Sequence, residues 1–217
     1  MYLTKTPRII KKIFKKYTWR FSLDTKEIYL TFDDGPTPEI TDFVLDELQK
    51  HHAKATFFCI GKNIENHPEI VQKIVSEGHA IGNHTQHHLN GWKNNTKDYI
   101  QNVIACDTFI SSTLTTLSKN SIEKSKLFRP PYGKIKRSQA KKILSLGHKI
   151  IMWDVLSADF DTTITKEKCL ENVLKNTTNG SIIVFHDSIK AAEKLKHTLP
   201  KVLAYYAEKG FVFKTIT

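Results

Sequence analysis

Leu30-Thr31-Phe32-Asp33-Asp34-Gly35-Pro36 places two adjacent carboxylates directly after the apolar run Ile28-Tyr29-Leu30 and directly before a Gly-Pro break. The pattern reads as the end of a buried strand followed by a change of backbone direction. Successive side chains along a strand point to opposite faces, but at a sharp turn both acids can reach the mouth of a cleft. Taken alone, Asp-Asp-Gly-Pro also reads as an Asp-capped turn. Two carboxylates held so close repel each other unless something positive, such as a metal on one of them, separates their roles.

Outward from this strand, apolar runs alternate with amphipathic stretches. Strands are expected over 27–32, 55–60, 79–82, 126–128, 149–153, 181–185 and 211–215, and helices over 39–51, 67–77, 96–118, 137–146, 166–176 and 190–209. Pro68 suits the first turn of a helix, and Gly78, Gly147 and Gly210 suit helix stops. Residues 118–126 read as a solvated loop. Strand-helix repetition predicts an α/β protein with mostly parallel strands and outer helices. About seven such units point to a distorted (β/α)7-type barrel, in which chemistry gathers at the C-terminal strand ends.

Reactive residues do follow the expected strands. Asp33-Asp34 follows the first, Asn83-His84-Thr85-Gln86-His87-His88 the third, and Arg129-Pro130-Pro131-Tyr132-Gly133 the fourth. The stretch Asp154 to Asp159 follows the fifth, and His186-Asp187 the sixth. His84 and His88 are four apart, a spacing that puts two imidazoles on one side of a tight turn. With one carboxylate they make a two-histidine, one-carboxylate set that leaves a coordination position open, as catalytic metals require. His87 points elsewhere, into a second layer or solvent. In Arg129-Pro-Pro-Tyr-Gly the guanidinium suits a carboxylate partner, and the prolines hold Tyr132 and its backbone N–H outward.

Thr-Phe-Asp-Asp-Gly, His-Thr-x-x-His, Arg-x-Pro-Tyr-Gly, Trp-Asp…Asp-Phe and an apolar run into His-Asp occur in this order over residues 27–215. The set resembles the polysaccharide deacetylases of carbohydrate esterase family 4. The resemblance implies a distorted barrel and metal-dependent removal of N- or O-acetyl groups from sugars. It implies Asp34, His84 and His88 as metal ligands, with Zn²⁺ favoured and Co²⁺ or Ni²⁺ also suited. It implies Asp33 as general base, His186 as general acid and Arg129 as the residue that holds the base. Tyr132 falls where a backbone N–H binds the oxyanion, beside Pro131. Trp153 and Val184 fall on positions lining the acetyl pocket, where the family often has Leu in place of Val184. Asp159 falls on the position that orients the acid histidine, with Asp154 its rival. The fourth motif departs from the family pattern, with Leu156 at a usually acidic position and Phe160 in place of Trp.

Across 217 residues the chain is 40% hydrophobic and 25% charged, the composition of an ordinary globular protein. Net charge is +11, but the lysines interleave with acids and no aromatic-interleaved basic motif marks a nucleic-acid binder. Cys59, Cys106 and Cys169 are odd in number and widely spaced, which excludes a disulfide framework, and Cys59 reads as a buried thiol. No signal-peptide pattern or membrane span is visible, so the expected location is cytoplasmic or peripheral to a membrane. Residues 1–22 carry a basic amphipathic helix with Ile9, Ile10, Ile13, Phe14 and Tyr17 on one face and lysines on the other. Docking of that face on the catalytic domain (23–217) is preferred over contact with a membrane surface. An acetylated glycan substrate and a monomeric chain are expected. The alternatives are a non-catalytic carbohydrate- or metal-binding protein, or a metal hydrolase acting on a non-sugar amide.

Overall fold

A computed structural model describes residues 2–115 and 126–217. Eight strands run in chain order: β1 (Glu27–Asp33), β2 (Ala55–Cys59), β3 (Ala80–Asn83), β4 (Lys126–Phe128), β5 (His148–Ile150), β6 (Val155–Leu156), β7 (Ile182–His186) and β8 (Val212–Phe213). The helices are α1 (Arg8–Ile13), α2 (Ile40–Lys50), α3 (Gly61–Asn66), α4 (Pro68–Ser76), α5 (Thr96–Thr115), α6 (Arg137–Ser145), α7 (Lys166–Asn176) and α8 (Ala192–Glu208). The sheet order is β5-β4-β3-β2-β1-β7-β6, with β8 added beside β1, and the paired strands are parallel. This is the distorted barrel that the strand-helix alternation predicts, with β1 near its centre.

The alternation of side chains explains why the reactive residues share one side. Ile28, Leu30 and Phe32 of β1 and Ile183 and Phe185 of β7 join the large outer core, which includes Val44 of α2 and Leu199 of α8. Tyr29, Phe58, Leu127, Ile151 and Ile182 form a smaller inner cluster. Continuing the inward parity in steps of two residues carries Tyr29 to Thr31 and Asp33, Leu127 to Arg129, and Ile182 to Val184 and His186. Register then sets the heights: Asp33 stands opposite His186 on one side and Phe58 on the other.

The open side of the sheet, between β5 and β6, is stitched by the N-terminal segment. Thr18 bridges Ile151, Lys5 bridges Val155 and Arg20 bridges Ser181. The strand expected over 149–153 accordingly stops early, as β5, and the two-residue β6 lies beyond its expected end. Ile151 and Met152 turn their carbonyls to the Arg129 guanidinium, at 3.2 and 3.0 Å, and Met152 gives its N–H to Thr18. The sequence pattern does not mark α3, because its six residues are too few to show a helical period. The N-terminal helix is shorter than expected, and its apolar face divides. Ile10 and Tyr17 pack against the Trp19, Ile143 and Met152 cluster, but Ile9, Ile13 and Phe14 face out. Most of the loop expected over 118–126 lies outside the described residues, while Lys126 opens β4. The three cysteines are buried and free.

Candidate active site

Asp34 is where β1 turns. Its φ of 80° lies in the left-handed region that Asp tolerates better than most residues, and this reversal brings the second carboxylate to the same mouth as the first. Gly35 follows because nothing larger fits: a Cβ there would lie 2.0 Å from the Asp187 carboxylate. Asp187 holds the turn, accepting the Gly35 N–H at 3.0 Å and the Thr41 hydroxyl at 2.6 Å, while its own N–H reaches the Asp33 carbonyl. Burial, together with the nearby Asp34 charge, pushes the Asp187 carboxyl up to about 7. The His186-Asp187 pair is legible in the sequence, but the role of Asp187 is not. No local pattern marks it, since its contacts lie about 150 positions away in the chain.

The Asp34, His84 and His88 side chains offer donor atoms that all lie within 4.8 Å of one another. His88 Nε2 is 3.2 Å and His84 Nε2 is 3.7 Å from Asp34 Oδ1. His84 Nδ1 donates to the Arg129 carbonyl at 2.8 Å, which leaves the Nε2 lone pair facing Asp34. Burial lowers both imidazoles, His84 to about 3, and thus keeps them neutral, as ligands must be. Asp34 Oδ1 is buried without a hydrogen-bond partner. An orphaned carboxylate oxygen facing two neutral imidazole nitrogens fits a divalent cation. His87 is exposed, as expected.

Asp33 is clamped. Its Oδ1 accepts from Arg129 Nη1 at 2.6 Å, and the same nitrogen donates to Thr31 Oγ1 at 2.7 Å. The guanidinium is fully buried and lies 4.1 Å over the Phe58 ring. Its four described hydrogen bonds satisfy a charge that would otherwise be costly to bury.

At the end of β7, His186 Nδ1 and backbone N–H both donate to the fully buried Asp159 carboxylate, each at 2.7 Å. Burial opposes the charged imidazole, but Asp159, with Asp34 and Asp33 beyond it, raises His186 to about 9. Asp154 sits elsewhere, paired to Lys11 and to Lys5 (2.8 Å) and accepting the Ser181 hydroxyl. Phe160 keeps an aromatic edge against His186, with ring centroids 5.1 Å apart. Leu156, at the usually acidic position, pairs with Val184 in the sheet and is buried.

Tyr132 has φ 60° within a short 3-10 turn that includes the buried Pro131, and its ring lies 4.5 Å from that of His88. Trp153 closes over Gly133, where a Cβ would meet the indole at 2.6 Å. Val184 is buried on the inward side of β7.

Acids and histidines converging on one barrel mouth define a hydrolytic barrel enzyme. A profile of the polysaccharide deacetylase family matches residues 20–151, and the chain belongs to that family, carbohydrate esterase family 4, whose members deacetylate acetylated sugar polymers. The peptidoglycan-N-acetylglucosamine deacetylase of Bacillus cereus is 36% identical over 93% of this chain and 72% of its own length. The peptidoglycan-N-acetylmuramic acid deacetylase PdaA of Bacillus subtilis is 30% identical over 95% of this chain and 77% of its own. Among solved structures, the Bc1960 peptidoglycan N-acetylglucosamine deacetylase superposes with a TM-score of 0.85 at 33% identity, covering 97% of this chain and 95% of that one.

Proposed function

We propose that this chain hydrolyses N-acetyl groups of an acetylated glycan, with the glucosamine units of peptidoglycan the first substrate to test. The observation that carries this reading is the placement of the Asp34, His84 and His88 donors beside the Arg129–Asp33 and Asp159–His186 pairs. A divalent cation held by those three residues would supply Lewis acidity and lower the pKa of a bound water, to about 7 in favourable zinc sites. The nitrogen-rich donor set suits Zn²⁺, with Co²⁺ and Ni²⁺ also able to occupy it.

The chain's own groups divide the remaining work. Asp33 takes the proton of the attacking water, its carboxylate aimed by the Arg129 guanidinium. The C–O bond forms as the amide carbon becomes tetrahedral. The Tyr132 backbone N–H donates to the developing oxyanion, a contact of the kind worth about 3–4 kcal/mol. His186, held cationic by Asp159, delivers its proton to the departing nitrogen as the C–N bond breaks, giving acetate and a free sugar amine. Pro131, Trp153 and Val184 wall the acetyl methyl group.

Acetate release is the test, from peptidoglycan fragments, chitin oligomers and acetylated xylan, with and without chelator. Release from the N-acetylated substrates that chelation abolishes and Zn²⁺ restores is expected. Full activity after exhaustive chelation would overturn the cation's role. Binding of the glycans with no acetate release under any metal would favour a non-catalytic carbohydrate-binding protein.

A further inference from the structure

Residues 2–20 carry a surface that deacetylation does not use. No acid precedes Asp24, while Lys5, Arg8, Lys11, Lys12, Lys15, Lys16 and Arg20 all do. Lys5 and Lys11 are spent on Asp154. Arg8, Lys12, Lys15 and Lys16 are exposed and form no ion pair among the described residues. Between them stand Ile9, 62% exposed, Ile13, 61%, and Phe14, 38%. Ile10 and Tyr17 hold the segment on the barrel through the Trp19 and Met152 cluster, so the outward face belongs to an anchored element.

We propose that α1 and the turn after it, through Lys16, are a docking surface for an anionic lipid bilayer. Single exposed apolar residues need no explanation, but three together inside a ring of unpaired cations match an interfacial segment. A purely polyanionic partner would use the cations and leave Ile9, Ile13 and Phe14 in water. A bilayer bearing anionic headgroups takes both sets, the cations at the headgroups and the apolar side chains at the acyl boundary. The placement is compatible with catalysis. Lys11 and Lys5 anchor this segment to Asp154, beside Ser181 at the start of β7. Asp33 and His186 lie at the opposite, C-terminal ends of their strands. This inference does not depend on the proposed substrate.

The full chain is tested by co-sedimentation with vesicles of phosphatidylcholine alone and of equimolar phosphatidylcholine and phosphatidylglycerol. Binding to the anionic vesicles only, weakened by salt, is expected. Lys12→Glu/Lys15→Glu/Lys16→Glu should lose about a hundredfold or more in affinity, since each basic residue near such a surface contributes about fivefold. Ile9→Ser/Ile13→Ser should lose about tenfold, with hydrolysis of a soluble acetylated oligosaccharide unchanged. The proposal is overturned if the unmodified chain ignores anionic vesicles, a result independent of how any variant folds. It is equally overturned if Ile9→Ser/Ile13→Ser binds them undiminished while soluble polyphosphate competes, the mark of a polyanion site.

Discussion

The carbonyl of Arg129 accepts the Nδ1–H of His84 at 2.8 Å, while the Arg129 guanidinium grips Asp33 at 2.6 Å. One residue thus fixes a histidine tautomer with its backbone and a carboxylate with its side chain. Replacing the side chain should separate these two effects. Arg129→Met keeps the carbonyl but leaves Asp33 buried without its partner, a change expected to cost about 3–5 kcal/mol. Calorimetry should show the melting temperature falling by about 10 °C, with turnover lost.

The adjacent acids should behave differently. Asp33→Asn is expected to bind Zn²⁺ with near-normal affinity by titration calorimetry, yet lose about 10²–10⁴-fold in kcat. His88→Ala should lose the cation itself, and Asp34→Ala likewise. An Asp33→Asn enzyme with full turnover would remove Asp33 from the role of base.

The pH profile tests His186. Its folded value of about 9 lies above the ordinary 6.5, so the protonated form persists well past neutrality. Turnover that needs this proton should fall on the alkaline side, between about 6.5 and 9, because a cation beside Asp34 offsets part of the upward pull. Asp159→Asn should shift that limb to lower pH. The same linkage adds stability that is complete below about 6.5 and is lost as pH rises through the folded value. Melting temperature against pH, for the parent and Asp159→Asn, should show that difference.

Asp187 is predicted to act on the cation at one remove. Asp187→Ala leaves the Gly35 N–H and Thr41 hydroxyl without their acceptor, at a cost of about 1–3 kcal/mol. It also frees the turn that sets Asp34. A lower melting temperature together with weaker Zn²⁺ binding is expected. A purely structural role would lower the first and leave the second unchanged.

Much of this was legible in the chain because inward parity and residue chemistry point the same way. Thr31 and Asp33, Arg129, and Val184 and His186 share a face by strict alternation, and acids, imidazoles and a guanidinium have few reasons to gather at strand ends. What could not be read depends on distant contacts or single dihedrals. The left-handed Asp34, the break between β5 and β6 under the Arg129 guanidinium, and the hold of Asp187 on Gly35 leave no local periodicity. The choice between Asp154 and Asp159 shows the same limit. Both acids follow one strand, and only distant partners separate them: Lys5, Lys11 and Ser181 engage Asp154, while His186 engages Asp159.

The seam closed by residues 4–6 and 18–20 also has a consequence for the order of assembly. Their partners, Val155, Ile151 and Ser181, lie more than a hundred positions downstream. On a ribosome the basic apolar segment therefore emerges long before anything can receive it, and contacts so far apart in sequence form slowly. The Ile151 and Met152 carbonyls that grip Arg129 belong to that same seam. A nascent chain can thus possess its histidines and its first carboxylates while the guanidinium between them still lacks its full set of acceptors. Competence for hydrolysis should arise abruptly, with the closing of the barrel wall, and not by degrees as each strand is added.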